Sequence, residues 1–162
     1  MNLAEAPADL LPASVVHEAV AVEPVTRRLM SARMSPMAQR AGMKASSPPA
    51  FLSFDAFCRK VDALIPPLEL HFNGQEDPFL HPRFLDMVAY AAQRGFEATA
   101  TTRMPALSTR RAEECVQSGL RRLVVELGPD PSGLARRSLV RLEEAKQRLG
   151  SAFPEIVFAA AK

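Results

Sequence analysis

The sequence predicts an α/β domain built on a parallel sheet. Three observations carry that prediction. From residue 53 onward, helix-like and strand-like segments alternate at intervals of about 30 residues. The helical segments open on good capping residues and close on glycine or proline. The strand-like segments are short and lie one between each pair of helices, the arrangement that right-handed crossovers join into a parallel sheet.

The elements follow in order. Residues 1–21 are rich in Ala, Pro and Glu and read as an N-terminal extension, partly disordered. Val25 to Met30 reads as the first strand. Residues 42–50, with glycine, serines and prolines, read as a loop. Ser53 caps a helix that places Phe54, Phe57, Val61, Leu64 and Ile65 on one face, and Pro66-Pro67 stops it. Leu68 to Phe72 alternates like a strand. Pro82 opens a second helix, with Phe84, Leu85 and Val88 inward and Gly95 at its end. Phe96 to Thr101 is strand-like. Ser108 caps a third helix that ends at Gly119, and Leu123 to Leu127 is the next strand. Leu134 to Leu149 is a helix closed by Gly150, and Ile156 to Ala159 is a last strand. In parallel α/β folds ligands sit at the carboxyl ends of the strands. The informative stretches are therefore 31–40, 73–82, 101–105 and 127–130.

Composition narrows the function classes. The 162 residues suffice for one domain, with 48% hydrophobic and 23% charged residues. A net charge of +2, from 20 basic and 18 acidic side chains, argues against nucleic acid as a partner. No apolar run approaches the roughly 18 residues of a membrane span, so no membrane partner is expected. The N-terminus carries acids where a signal peptide needs a basic region, which makes the cytoplasm the expected location. The two cysteines, Cys58 and Cys115, lie outside any metal-ligand spacing and read as small apolar residues on helices.

The stretch LELHFNGQEDPFLHPRFLDMVAYAAQRGFEATATTRMPALS resembles the centre of the radical S-adenosylmethionine (radical SAM) family. There, strand two leads into a loop of the form GxGEPLLHP-x-F, and strand three into TTNG-x-LS/T. This chain has Gly74 to Phe84 at the first position and Thr101 to Ser108 at the second. The segment EECVQSGLRRLVVELGPD is similar to the family's ELVEAGLDRVVVSLDG. The resemblance covers residues 22–162 and implies a partial, open (β/α) parallel barrel of about five strands.

It also implies a cofactor site, and this chain departs from it. The family's C-x-x-x-C-x-x-C motif supplies three thiolates to a 4Fe–4S cluster whose fourth iron is chelated by SAM. The equivalent segment here is Ser31 to Arg40, with Ser31, Ser35 and Ala38 at the cysteine positions. Hydroxyl and methyl groups do not replace thiolates, so no cluster is expected. The SAM-binding loop reads Gly74-Gln75-Glu76-Asp77, with Asp77 at the family's glutamate and Glu76 at the preceding glycine. The TNG turn reads Thr102-Arg103-Met104, and the serine near the end of strand four is Glu126.

Other constellations carry a sharper and a plainer reading. His71 and His81 with Glu76 and Asp77 suggest a metal site, but His81 fits the family's LHP signature as a backbone-capping residue. Glu76 with Asp77 suggests paired acid–base carboxylates, but neighbours on a loop rarely point together. The arginine pairs read as solvated surface. Met30, Met34 and Met37 read as core filling rather than a soft-metal site. The reading adopted is a non-catalytic, radical-SAM-like pseudoenzyme that binds a protein partner or a second copy through its open barrel edge. Its alternatives are a protein that binds SAM or another small molecule, and an iron–sulfur enzyme whose cluster cysteines are substituted.

Overall fold

The computed structural model describes residues 19–25 and 51–160. Its elements alternate as β1 (Ala19–Val22), α1 (Phe54–Asp62), β2 (Glu69–Phe72), a 3-10 turn (Pro78–Leu80), α2 (Phe84–Gln93), β3 (Glu97–Thr102), α3 (Thr109–Gln117), β4 (Leu120–Leu127), α4 (Leu134–Leu149) and β5 (Glu155–Ala160). The strands form one 5-stranded sheet in chain order, every neighbouring pair parallel. β1 and β5 do not pair with each other, so the sheet is open. This is the α/β architecture that the alternation predicts.

One strand is displaced from its expected place. Ala19–Val22, rather than Val25 to Met30, lies beside β2, with Ala19 opposite Glu69 and Val22 opposite Phe72. Ala19, Val20 and Ala21 thus fall inside the stretch read as an extension. Val25 is buried and makes an isolated antiparallel bridge to Phe51, and residues 26–30 lie outside the described residues. The physical reason lies in β1's alternation. Val20 and Val22 pack on the core while Ala19 and Ala21 take the other face, a pattern too short and too small to stand out in sequence.

The helix boundaries follow local chemistry. The Ser53 hydroxyl accepts from the Ala56 N–H at 3.2 Å, and the Ser108 hydroxyl accepts from the Arg111 N–H at 3.1 Å. Gly119 adopts φ +85, and a Cβ there would stand 2.7 Å from the Ala92 Cβ. Glycine is thus required twice over where α3 turns into β4 against α2.

With consecutive right-handed crossovers all helices cover one face of the sheet. Leu70 and Phe72 on β2, Ala98 and Ala100 on β3, and Leu123 and Val125 on β4 are fully buried beneath them. An aromatic cluster closes this layer. The Phe84 ring lies 5.3 Å from Phe72 and 4.9 Å from Phe79, and Phe57 lies 5.8 Å from Phe72. The opposite face is more polar. Glu69 and His71, Thr99 and Thr101, and Arg122 and Glu126 alternate with the buried residues along their strands. No helix among the described residues is long and apolar enough to cross a membrane.

Candidate functional site

The carboxyl ends of β1 to β4 meet around a cleft of about 500 Å³. Its wall comprises Glu23 after β1, Asn73 to Asp77 after β2, Thr101 to Arg103 at the end of β3, and Glu126 on β4. All four residues of the expected SAM-binding loop, Gly74, Gln75, Glu76 and Asp77, line it. So do the altered positions Arg103 and Glu126. Ser31, Ser35 and Ala38 lie outside the described residues.

Asp77 builds the site from within the chain. One carboxylate oxygen accepts from the Phe79 N–H at 3.0 Å and caps the 3-10 turn. The other accepts from the Thr102 hydroxyl and the Arg103 N–H, both at 2.7 Å. The Thr102 hydroxyl oxygen in turn accepts from the Met104 N–H at 2.9 Å. A shorter side chain than the family's glutamate therefore ties the loop after β2 to the turn after β3. Burial pushes the Asp77 pKa above its ordinary value, while these three donors and the Arg103 charge hold it back.

Met104 stands where the resembling motif has glycine, and it keeps the left-handed conformation, φ 54, with its side chain 1% exposed. A buried side chain and the Thr102 hydroxyl hold this backbone conformation at a residue other than glycine. Arg103 and Glu126 compensate one another across the strand ends at 3.6 Å. Arg103 is 69% exposed, so the pair contributes little to stability and serves to set the charge of the wall.

Glu23 is the wall residue that the sequence did not single out. Its Oε1 accepts from the Gln75 N–H at 3.2 Å. Its Cγ stands where a Cβ on Gly74 would come within 2.6 Å, so a side chain at residue 74 would displace Glu23 from this contact. The misplaced first strand hid this role. Glu76 has one oxygen, Oε1, buried without a hydrogen-bond partner. The residue lines the cleft, and this oxygen is shielded from solvent. Glu76 and Asp77 therefore do not act as a carboxylate pair, since Asp77 is committed to its own backbone partners.

His71 and His81 have different employment, and neither leaves a ring nitrogen free for a metal. The His81 Nε2–H donates to the Leu52 carbonyl at 2.9 Å, and its Nδ1 accepts from the Arg83 N–H at 3.0 Å. It is a buried brace between the loop and the segment before α1. His71 lies on the polar face of the sheet, between Thr99 and Thr101. Among the described residues, no cluster of three or more His, Cys, Asp or Glu side chains is placed to hold a metal ion.

His81 makes one consequence measurable. Burial, reinforced by the charges of Arg111 and Arg83, lowers its pKa from 6.5, against the Leu52 carbonyl, which raises it. A depressed folded value means that the unfolded state binds the proton first. The neutral ring's contribution is thus complete above pH 6.5 and is lost as pH falls through the folded value. Urea midpoints should fall on acidification below pH 6.5, and His81→Gln should remove that component.

No protein-family model matches the chain, and no curated protein matches it. Among solved structures the chain is similar to the crystal structure of BtrN in complex with AdoMet and 2-DOIA. The two share 11% sequence identity with a TM-score of 0.55, over 88% of this chain and 56% of that one. At that identity the likeness concerns the fold.

Proposed function

We propose that this chain is a non-catalytic, radical-SAM-like domain that works as a binding or accessory protein. The observation that carries the reading is the supply of sulfur. A cluster of the family's type takes three thiolates, and this sequence has two cysteines. Cys58 sits in α1 beside Tyr90. Cys115 is fully buried in α3, where burial pushes its thiol up to about 12. Neither lines the cleft. The residues present therefore do not fit a 4Fe–4S cluster. Anaerobic reconstitution with ferrous iron and sulfide should leave the protein with only traces of either. One cluster per chain would overturn the proposal.

A partner's docking place is supported by the β5 side of the sheet. Phe158 is 57% exposed and Leu127 51% exposed, and β5 pairs only with β4 among the described residues. An open parallel edge with apolar side chains beside it favours protein contact. Light scattering should find the chain dimeric or bound to a co-purifying protein, and Phe158→Glu should release it. A strictly monomeric chain that retains no protein would remove this role.

A second reading, in which the cleft binds SAM or another small molecule, is favoured by the unpartnered oxygen of Glu76. A SAM amino group would supply the donor that the oxygen lacks, and Asp77 would hold the loop rather than touch the ligand. Calorimetry with SAM should then give measurable heat, weakened about tenfold by Glu76→Gln. Absence of heat in the unmodified chain would eliminate SAM as the ligand.

A further inference from the structure

β5 is an edge strand that lacks the usual guards of an edge. Among the described residues it pairs only with β4, in an unbroken register from Arg122 opposite Glu155 to Leu127 opposite Ala160. Its outer side therefore presents a row of backbone N–H and C=O groups without a strand to meet them. Guarded edges carry a lysine, an interior proline or a bulge. The segment EIVFAA has none of these. Its one charged residue, Glu155, already accepts from the Arg122 guanidinium at 3.0 Å. Backbone groups arrayed in this way select another extended strand as their occupant.

The side chains of β5 make the strand complementary to itself. Residues opposite one another on neighbouring strands share a face. Ile156 and Phe158 thus lie with Leu123 and Val125 on the helical side, and Glu155, Val157 and Ala159 lie with Arg122, Val124 and Glu126 on the other. Consider a second copy laid antiparallel about a dyad at Val157. Ile156 then faces the second copy's Phe158, and this aromatic–β-branched pair occurs twice. Val157 meets its own counterpart, and Glu155 faces Ala159, so no like charges oppose each other. Phe158, 57% exposed, and Val157, 37% exposed, are both covered. A dyad at Ile156 would bring Pro154, which has no N–H, into the ladder. A dyad at Phe158 would leave Ile156 facing only Ala160.

We infer that a second copy of this chain docks on β5, pairing edge to edge about a dyad at Val157 into one sheet shared by both copies. The inference rests on reading the β5 side as a docking place and names its occupant. Each copy contributes the same strand, the self-complementary arrangement of a closed dimer.

Three measurements test it on the intact chain. Light scattering at micromolar concentration should find a dimer. In a Cys58→Ser background, where the buried Cys115 is the remaining native thiol, Val157→Cys should form a covalent dimer on mild oxidation. Directly opposite Cβ atoms of such a pair lie about 4.5–5.5 Å apart. Leu149→Cys, at a position 40% exposed at the end of α4, should not cross-link under the same treatment. Ala159→Glu sets two glutamates against each other at both ends of the pair and should raise the dimer dissociation constant about tenfold. Ala159→Lys sets a lysine against Glu155 instead and should leave the dimer intact. Urea midpoints of both variants show whether each still folds.

A monomer, a dimer whose Val157→Cys form fails to cross-link, or equal effects of the two Ala159 variants would each overturn the inference. A monomer that retains another protein would overturn it while leaving the β5 side as a docking place. A monomer that retains none would remove that reading as well.

Discussion

Phe84→Ala should cost about 3–5 kcal/mol of folding stability, read as a drop in the urea midpoint. Phe84 opens α2 with its side chain fully buried and packs edge-on against both Phe72 of β2 and Phe79 of the 3-10 turn. Removing the ring opens a cavity between sheet, helix and loop that rigid neighbours close only in part. A domain of this size has a total stability of about 5–15 kcal/mol, so much of the population should unfold on modest heating. Phe84→Leu, which keeps most of the volume, should lose roughly half as much. Phe158→Ala is the contrast. Its ring is 57% exposed, and its loss should change the midpoint little. Equal losses at residues 84 and 158 would contradict the burial of Phe84 and the exposure of Phe158.

Asp77→Ala should cost about 2–4 kcal/mol and disorder the cleft. The substitution strips the partner from three donors at once, the N–H groups of Phe79 and Arg103 and the hydroxyl of Thr102. Thr102 is buried, so water replaces the lost acceptor poorly. The left-handed Met104 turn also loses its anchor, because it hangs on the same Thr102 hydroxyl. Hydrogen exchange should accelerate at residues 79 and 103 well before the core strands are affected. Asp77→Asn separates charge from shape. The folded Asp77 pKa is raised above its ordinary 3.8, so the folded state holds the proton longer than the unfolded one. Its contribution is complete below pH 3.8 and is lost as pH rises through the folded value. The asparagine variant should lack that decline while retaining an acceptor for Thr102. A steeper decline in the variant would show that the charged carboxylate is the stabilising form.

How much of the site could be read in advance depends on residue type. Gly74 to Asp77, Arg103 and Glu126 were legible because each matches or departs from a recognisable pattern at a definite position. What each does was not. Asp77 reads in sequence as a shortened ligand-binding carboxylate, but its environment converts it into a cap, since three donors of its own chain engage its two oxygens. Glu23 was not legible at all, because its role depends on which residues form β1. His71 reads as one residue of an alternating strand. Its ordered hydrogen-bond run exists only because β2 and β3 pair in register, with His71 opposite Thr99.

The sequence by itself determined the class of the fold. Alternating periods of apolar residues, capped helices and glycine stops are local signals, and local energetics are sufficient to read them. It also determined that three thiolates are unavailable, since two cysteines cannot make three ligands. Only the tertiary structure decided which segment is the first strand, which carboxylates line the cleft, and which partners the ring nitrogens of His71 and His81 reach. Those outcomes depend on competition among groups distant in sequence for the same donors and the same buried volume. In that competition the strand register, rather than residue identity, settles which partner is within reach.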